Sequence, residues 1–177
     1  MANAKLKSTV HLVCAIGQPY SLVAAQLTKS IVLADAVSFC SRRKTISGAV
    51  IVKAPLGPVP HDYQEILNEL EREGAIRIIK SQDGACQNTR YGVLVPPSLD
   101  DFEADELKIL ENIVPEICNN YSAAGLSDLT NNEAWQTAAL GEEIPLAAYF
   151  PHKRITPTPE EIEQLKDVLV GLGYELV

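Results

Sequence analysis

The stretch Ala54-Pro55-Leu56-Gly57-Pro58-Val59-Pro60 limits what this chain can build more than any other. Each of its three prolines holds φ at about −65° and removes an amide donor. No helix and no central strand can pass through such a segment, so it reads as a rigid loop. The regular elements must lie on either side of it.

On the N-terminal side, Leu6 to Ile16 reads as a helix, with Leu6, Val10, Val13 and Cys14 at helical spacing. Gly17-Gln18-Pro19 ends it. Ser21 is placed to cap a long second helix that runs to about Arg42. Leu27, Ile31, Ala34, Val37 and Phe39 give that helix a wide apolar face, which suits a central position. Its end, Arg42-Arg43-Lys44, puts cations where the helix dipole favours them. Ile46 to Lys53 is rich in β-branched residues and reads as a short strand.

On the C-terminal side, His61 to Gly74 is amphipathic. Tyr63, Ile66, Leu67 and Leu70 form its apolar stripe, and Glu65, Glu69, Glu71, Arg72 and Glu73 face water. Ile76–Lys80 and Arg90–Val95 read as two strands joined by a hairpin loop longer than a tight turn. Glu103 to Asn119 is the next helix, and Pro115 is expected to kink or split it near Glu111. Ser122–Leu129 and Asn131–Leu140 read as two short helices, followed by a last apolar piece, Leu146–Phe150. Thr158, Pro159 and Glu161 form an N-cap signature for a C-terminal helix to about Val170.

This order implies an α+β, mainly α fold: a helical domain with a small β-sheet or hairpin. A helix followed by a hairpin is compatible with a winged-helix-like arrangement. The divisions expected are an N-terminal helix over 1–20, a main domain over 21–150, and a linker and helix appendage over 151–177.

At 177 residues, 46% hydrophobic and 21% charged, the chain has the composition of a globular domain. Its formal net charge of −8 disfavours non-specific binding to nucleic acid and to anionic membranes. Cys14, Cys40, Cys86 and Cys118 are irregularly spaced, and the N-terminus lacks the pattern of a secretory signal. Reduced thiols in a cytoplasm are the expectation. The longest apolar stretch, Leu22 to Cys40, holds Gln26, Lys29 and Asp35 and does not suit a membrane span.

Signals for catalysis are absent. His11 and Cys14 share a helical face, but His61 and His152 are too far along the chain to complete a zinc site. No base accompanies Cys86, the cysteine in the most polar setting. Phosphate-binding glycine loops are missing. No catalytic residue, metal or cofactor is expected. The helix that would read DNA in a winged-helix protein carries Asp62, Glu65, Glu69, Glu71 and Glu73 against Arg72, which repels phosphate. That topology fits protein contact better.

Several blocks resemble one family. They are Leu27 to Phe39, the block Leu56-Gly57-Pro58-Val59-Pro60-His61-Asp62-Tyr63, Leu126-Ser127-Asp128-Leu129-Thr130, Ala134-Trp135, and Gly141-Glu142-Glu143-Ile144-Pro145. In order and approximate spacing they resemble the Panacea domain, also called SocA-like or DUF4065, over about residues 25 to 150. Asn131 and Asn132 stand where family members often carry a histidine, so no role for an imidazole is expected there. The resemblance implies a bacterial or phage antitoxin that binds and neutralises a cognate toxin without catalysis. Alternatives are a winged-helix-type transcriptional regulator and an adaptor that delivers a partner to a AAA+ protease. The family-motif residues Gly57, Pro58, Val59, Pro60, Asp62, Tyr63 and Trp135 are candidates for partner binding. An acidic contact face on Glu65, Glu69 and Glu73 would steer association with a basic toxin.

Overall fold

In the computed structural model, which describes residues 4–83 and 86–149, the first helix, α1 (Ala4–Gly17), turns Leu6, Val10, Val13 and Cys14 into the core. A 3₁₀ turn (Gln18–Tyr20) leads to α2 (Ala24–Arg42), the central helix, which packs against α1. Leu27, Ile31, Val32 and Ala34 of α2 are buried, whereas Val37 is 47% exposed. Ser21 does not cap α2. It sits in the left-handed region at φ 57°, and the Gln26 side chain accepts from the Val23 amide at 3.1 Å instead. At the other end Arg43, at φ 58°, closes the helix with its amide on the Phe39 carbonyl.

The strand expected over 46–53 is shorter, β1 (Ile51–Ala54). Residues 46 and 47 are occupied otherwise: the amides of Ile46 and Ser47 donate to Oδ1 of the buried Asp35 of α2 at 2.7 and 2.8 Å, and the Ser47 hydroxyl donates to its other oxygen. The proline-rich segment is not a loop throughout. Gly57–Pro60 forms β2, paired antiparallel with β1 from Ile51↔Pro60 to Ala54↔Gly57. The prolines are tolerated because, among the described residues, β2 pairs with β1 alone. The opposite edge of β1 is taken by the segment around Glu143.

The third helix, α3 (Tyr63–Arg72), buries Ile66, Leu67 and Leu70 against α1. The two strands after it are longer than expected: β3 (Ile76–Asp83) and β4 (Cys86–Val93) pair as far as Asp83↔Cys86, so two residues link them. The predicted long loop is mostly ladder. The order helix, strand, strand of a winged-helix-like arrangement is present.

Next comes α4 (Ala104–Asn120), which runs unbroken through Pro115. Leu110, Val114 and Ile117 are buried along it, and their burial, about 2 kcal/mol each, outweighs one missing backbone bond. Two short helices follow, α5 (Ala123–Thr130) and α6 (Glu133–Thr137). They are capped by Ser122, which accepts from the Gly125 amide, and by Asn132, which accepts from the Trp135 amide, both at 3.1 Å. A 3₁₀ turn (Leu146–Tyr149) ends the described chain against α2. The helix expected over 159–170 lies outside the described residues.

Of the segment expected as a separate N-terminal helix, the described part, residues 4–20, shares the core of the main domain: Leu6, Val10 and Val13 belong to one buried cluster with Leu27, Ile66 and Leu110. Ion pairs tie helix ends together: Lys5 to Glu106 at 2.7 Å, and Arg42 to Glu103 and Glu106. Among the described residues, no helix is long and apolar enough to cross a membrane.

Candidate functional site

The sequence blocks that carry the family resemblance are far apart in the chain, and the fold gathers most of them around the β1–β2 hairpin. From the β1 side, Gly141-Glu142-Glu143-Ile144 runs along Ile51 to Lys53. The Lys53 amide donates to the Glu142 carbonyl at 2.9 Å, the Gly141 amide to the Lys53 carbonyl at 2.9 Å, and the Ile144 amide to the Ile51 carbonyl at 2.8 Å. From the tip, α5 approaches: the Ser127 hydroxyl donates to the Leu56 carbonyl at 3.2 Å. From α6, the Trp135 indole donates to the Ala54 carbonyl at 3.3 Å, and the Lys53 ammonium stands 4.6 Å over the Trp135 ring. Lys53 also donates to the Ala138 carbonyl at 2.9 Å.

Beneath the hairpin lies Lys29 of α2. It is only 2% exposed and donates to the Pro58 carbonyl at 2.8 Å. Burial brings its amine down from the ordinary lysine value to about 8. Among the described residues no carboxylate lies within ion-pair distance of it. Gly57, at φ 118°, makes the close approach possible. A Cβ there would stand 2.3 Å from the Lys29 ammonium and 2.6 Å from Oδ1 of Asn131. That Asn131 oxygen is buried and has no hydrogen-bond partner among the described residues.

A cavity of about 260 Å³ opens beside this cluster. Ala25 and Thr28 of α2, Pro55, Leu56 and Val59 of the hairpin, and Tyr63 of α3 line it, with Lys29 and Gly57 among its walls. Two larger clefts lie elsewhere. One of about 560 Å³ runs between α3 and the β3–β4 hairpin, past Gln64, Glu71 and Lys80; one of about 530 Å³ follows Gln18, Pro19, Pro96 and Pro97.

The motif residues singled out from sequence are therefore split. Gly57 and Pro58 contact Lys29, and Val59 and Tyr63 line the cavity. Pro60 is buried in β2, and Asp62 precedes α3 and meets the His61 ring at 2.5 Å. Trp135 docks α6 on β1. Of the acidic trio, Glu69 and Glu73 pair within the chain with Lys7, at 3.0 and 2.7 Å, while Glu65 is exposed. The Glu73 hydrogen bond is the largest influence holding the Lys7 amine above its usual value. Cys14 is buried in the core, and His11 faces the Val95 carbonyl at 2.8 Å. The side chain of Cys86 lies outside the described residues.

Sequence reasoning missed three participants: Lys29, Asn131 as a buried acceptor, and Leu56, which is 80% exposed at the hairpin tip. A charged residue between Leu27 and Ile31 on a wide apolar face is the one signal that could have marked Lys29.

The family model described as "Antitoxin SocA-like, Panacea domain" matches residues 27–136, from α2 to the last turn of α6. No match to the chain was found among curated proteins or among solved structures. The match covers more than half of the chain, and it contains the hairpin, Lys29, Asn131 and Trp135; the chain belongs to the Panacea family of SocA-like antitoxin domains.

Proposed function

We propose that this protein neutralises a cognate protein toxin by direct, non-catalytic binding, and that the contact is centred on the β1–β2 hairpin. The observation that carries this reading is the exposure of Leu56. A leucine left 80% open at the tip of a hairpin that lies within the family match offers a partner apolar surface at an already ordered position. Leu129 of α5, 49% exposed, and Leu140, 71% exposed, add apolar surface on the two segments that flank the hairpin. Three sides of the hairpin are fixed by hydrogen bonds, so little ordering would be needed on binding.

The test is co-expression with the neighbouring reading frame, scored by growth and by recovery of a stoichiometric complex. Rescue by the wild type and its loss with Leu56→Asp, while that variant stays folded, supports the reading. A harmless neighbour with nothing co-purifying overturns it. Rescue that persists with Leu56→Asp moves the contact away from the hairpin. Rescue that requires an intact AAA+ protease in the host would mean delivery to proteolysis in place of blocking.

A further inference from the structure

We infer that the cavity under the β1–β2 hairpin receives an aspartate or glutamate side chain of the protein partner, whose carboxylate pairs with the Lys29 ammonium. The inference rests on the toxin-binding reading above and adds the chemistry of the contact.

The cavity offers donors and no acid. Its one charged lining residue is Lys29, an ammonium with three donors, of which the structure uses one, on the Pro58 carbonyl. Tyr63, which also lines it, makes no side-chain hydrogen bond among the described residues. None of the lining residues is Asp or Glu. The remaining walls are mainly apolar, from Ala25, Pro55, Leu56 and Val59, and suit the methylenes of a short acidic side chain.

A cation held 2% exposed without a counter-charge is an unusual expense for a fold to carry. Two details accommodate it: Gly57 leaves the room a Cβ would take, and the Pro58 carbonyl accepts one of the ammonium's hydrogens at 2.8 Å. An incoming carboxylate would complete a charge-assisted pair in a site from which the partner's own bulk excludes water. The two charges act at different ranges. The net charge of −8 draws a cationic partner from a distance, and Lys29 selects one acidic side chain at contact.

The experiment measures the toxin affinity of the full-length wild type and of Lys29→Met, against toxin variants in which each Asp and Glu is changed to Asn or Gln. Lys29→Met should weaken binding about 100-fold. One toxin carboxylate should give a similar loss, and the double variant should lose little more. Equal affinity of wild type and Lys29→Met overturns the inference and leaves toxin binding standing. Weakening with no coupled carboxylate also overturns it. Should Lys29→Met fail to fold, the wild type still reports: the ε-carbon NMR signal of Lys29 should move on titration with butyrate and stay put with butyramide. Equal response to both, or to neither, rejects the site. If the wild type binds no toxin at all, the reading under Proposed function fails and the inference falls with it; a butyrate response would then assign the cavity to free carboxylic acids.

Discussion

The Lys29 ammonium donates to the Pro58 carbonyl at 2.8 Å, and this bond fastens the proline-rich hairpin to the central helix. It joins the two parts of the family motif that sequence treats as separate, a polar position in α2 and the Gly-Pro-Val-Pro block. Its donor also adds one pH-dependent contribution to stability.

Burial lowers the Lys29 amine from 10.5 in the unfolded chain to about 8. The unfolded chain therefore holds more protons between these values, and stability contributed by this group rises as pH increases from about 8 towards 10.5. Below pH 8 the penalty is present in full. Cys14 and Tyr91, both raised by burial, act in the opposite sense in alkali, so the effect must be read as a difference. The stability of the wild type minus that of Lys29→Met should increase by about 1–2 kcal/mol between pH 7 and pH 9.5. Urea unfolding of both proteins across that range measures it. A flat difference would mean that Lys29 is solvated.

Gly57 is expected to be the least replaceable glycine described. At φ 118° any Cβ is strained, and here it would also press on Lys29 and Asn131. Gly57→Ala should cost about 2–4 kcal/mol, lowering Tm by roughly 5–15 °C. Gly74, at φ 74° with nothing within 4 Å of its Cβ position, is the control: Gly74→Ala should cost only about 1 kcal/mol. Similar Tm values for the two variants would show that the packing under the hairpin is loose.

How much of this was legible in the sequence depends on where each signal resides. The apolar stripe of α3 is local, and Ile66, Leu67 and Leu70 are buried as their spacing requires. The prolines of β2 are local too, but whether they end a strand or edge one depends on what lies across from it. Here Ile51–Ala54 lies across, with residues 141–144 on its far side. No periodicity reveals that. The role of Lys29 was hidden for the same reason: its place between Leu27 and Ile31 marks it as unusual, but a lysine on a helix reads as surface until a hairpin is laid over it. Resemblance brought Gly57 and Trp135 to notice, and only the fold separates the residue that makes room from the one that docks a helix.

Asp35 is the anchor for the segment leading into β1. It is 0% exposed and accepts the Ile46 and Ser47 amides and the Ser47 hydroxyl. Asp35→Ala would leave these donors buried and unpaired, at a cost of about 3 kcal/mol or more. Asp35→Asn keeps one acceptor oxygen and should cost less. Thermal melts should rank wild type, Asn and Ala in that order of decreasing stability; an Ala variant as stable as wild type would show that water serves these amides equally well.

The cysteines should separate by reactivity. Cys14 is 0% exposed, and burial pushes its thiol up to about 12, so very little thiolate forms and no reagent reaches it at neutral pH. Cys118 is half-buried with its thiol also raised by burial. Cys40, near the end of α2, is exposed. Of these three, iodoacetamide at neutral pH, followed by peptide mass spectrometry, should modify Cys40 first and Cys118 more slowly. Cys14 should react only at the rate of global unfolding, because α1 cannot expose it without leaving Leu27, Ile66 and Leu110 behind. Denaturant should therefore accelerate Cys14 in step with the unfolding transition while barely changing Cys40. Early modification of Cys14 in the native protein would mean that α1 detaches on its own, and the segment over 1–20 would then be a separable element and not part of the core.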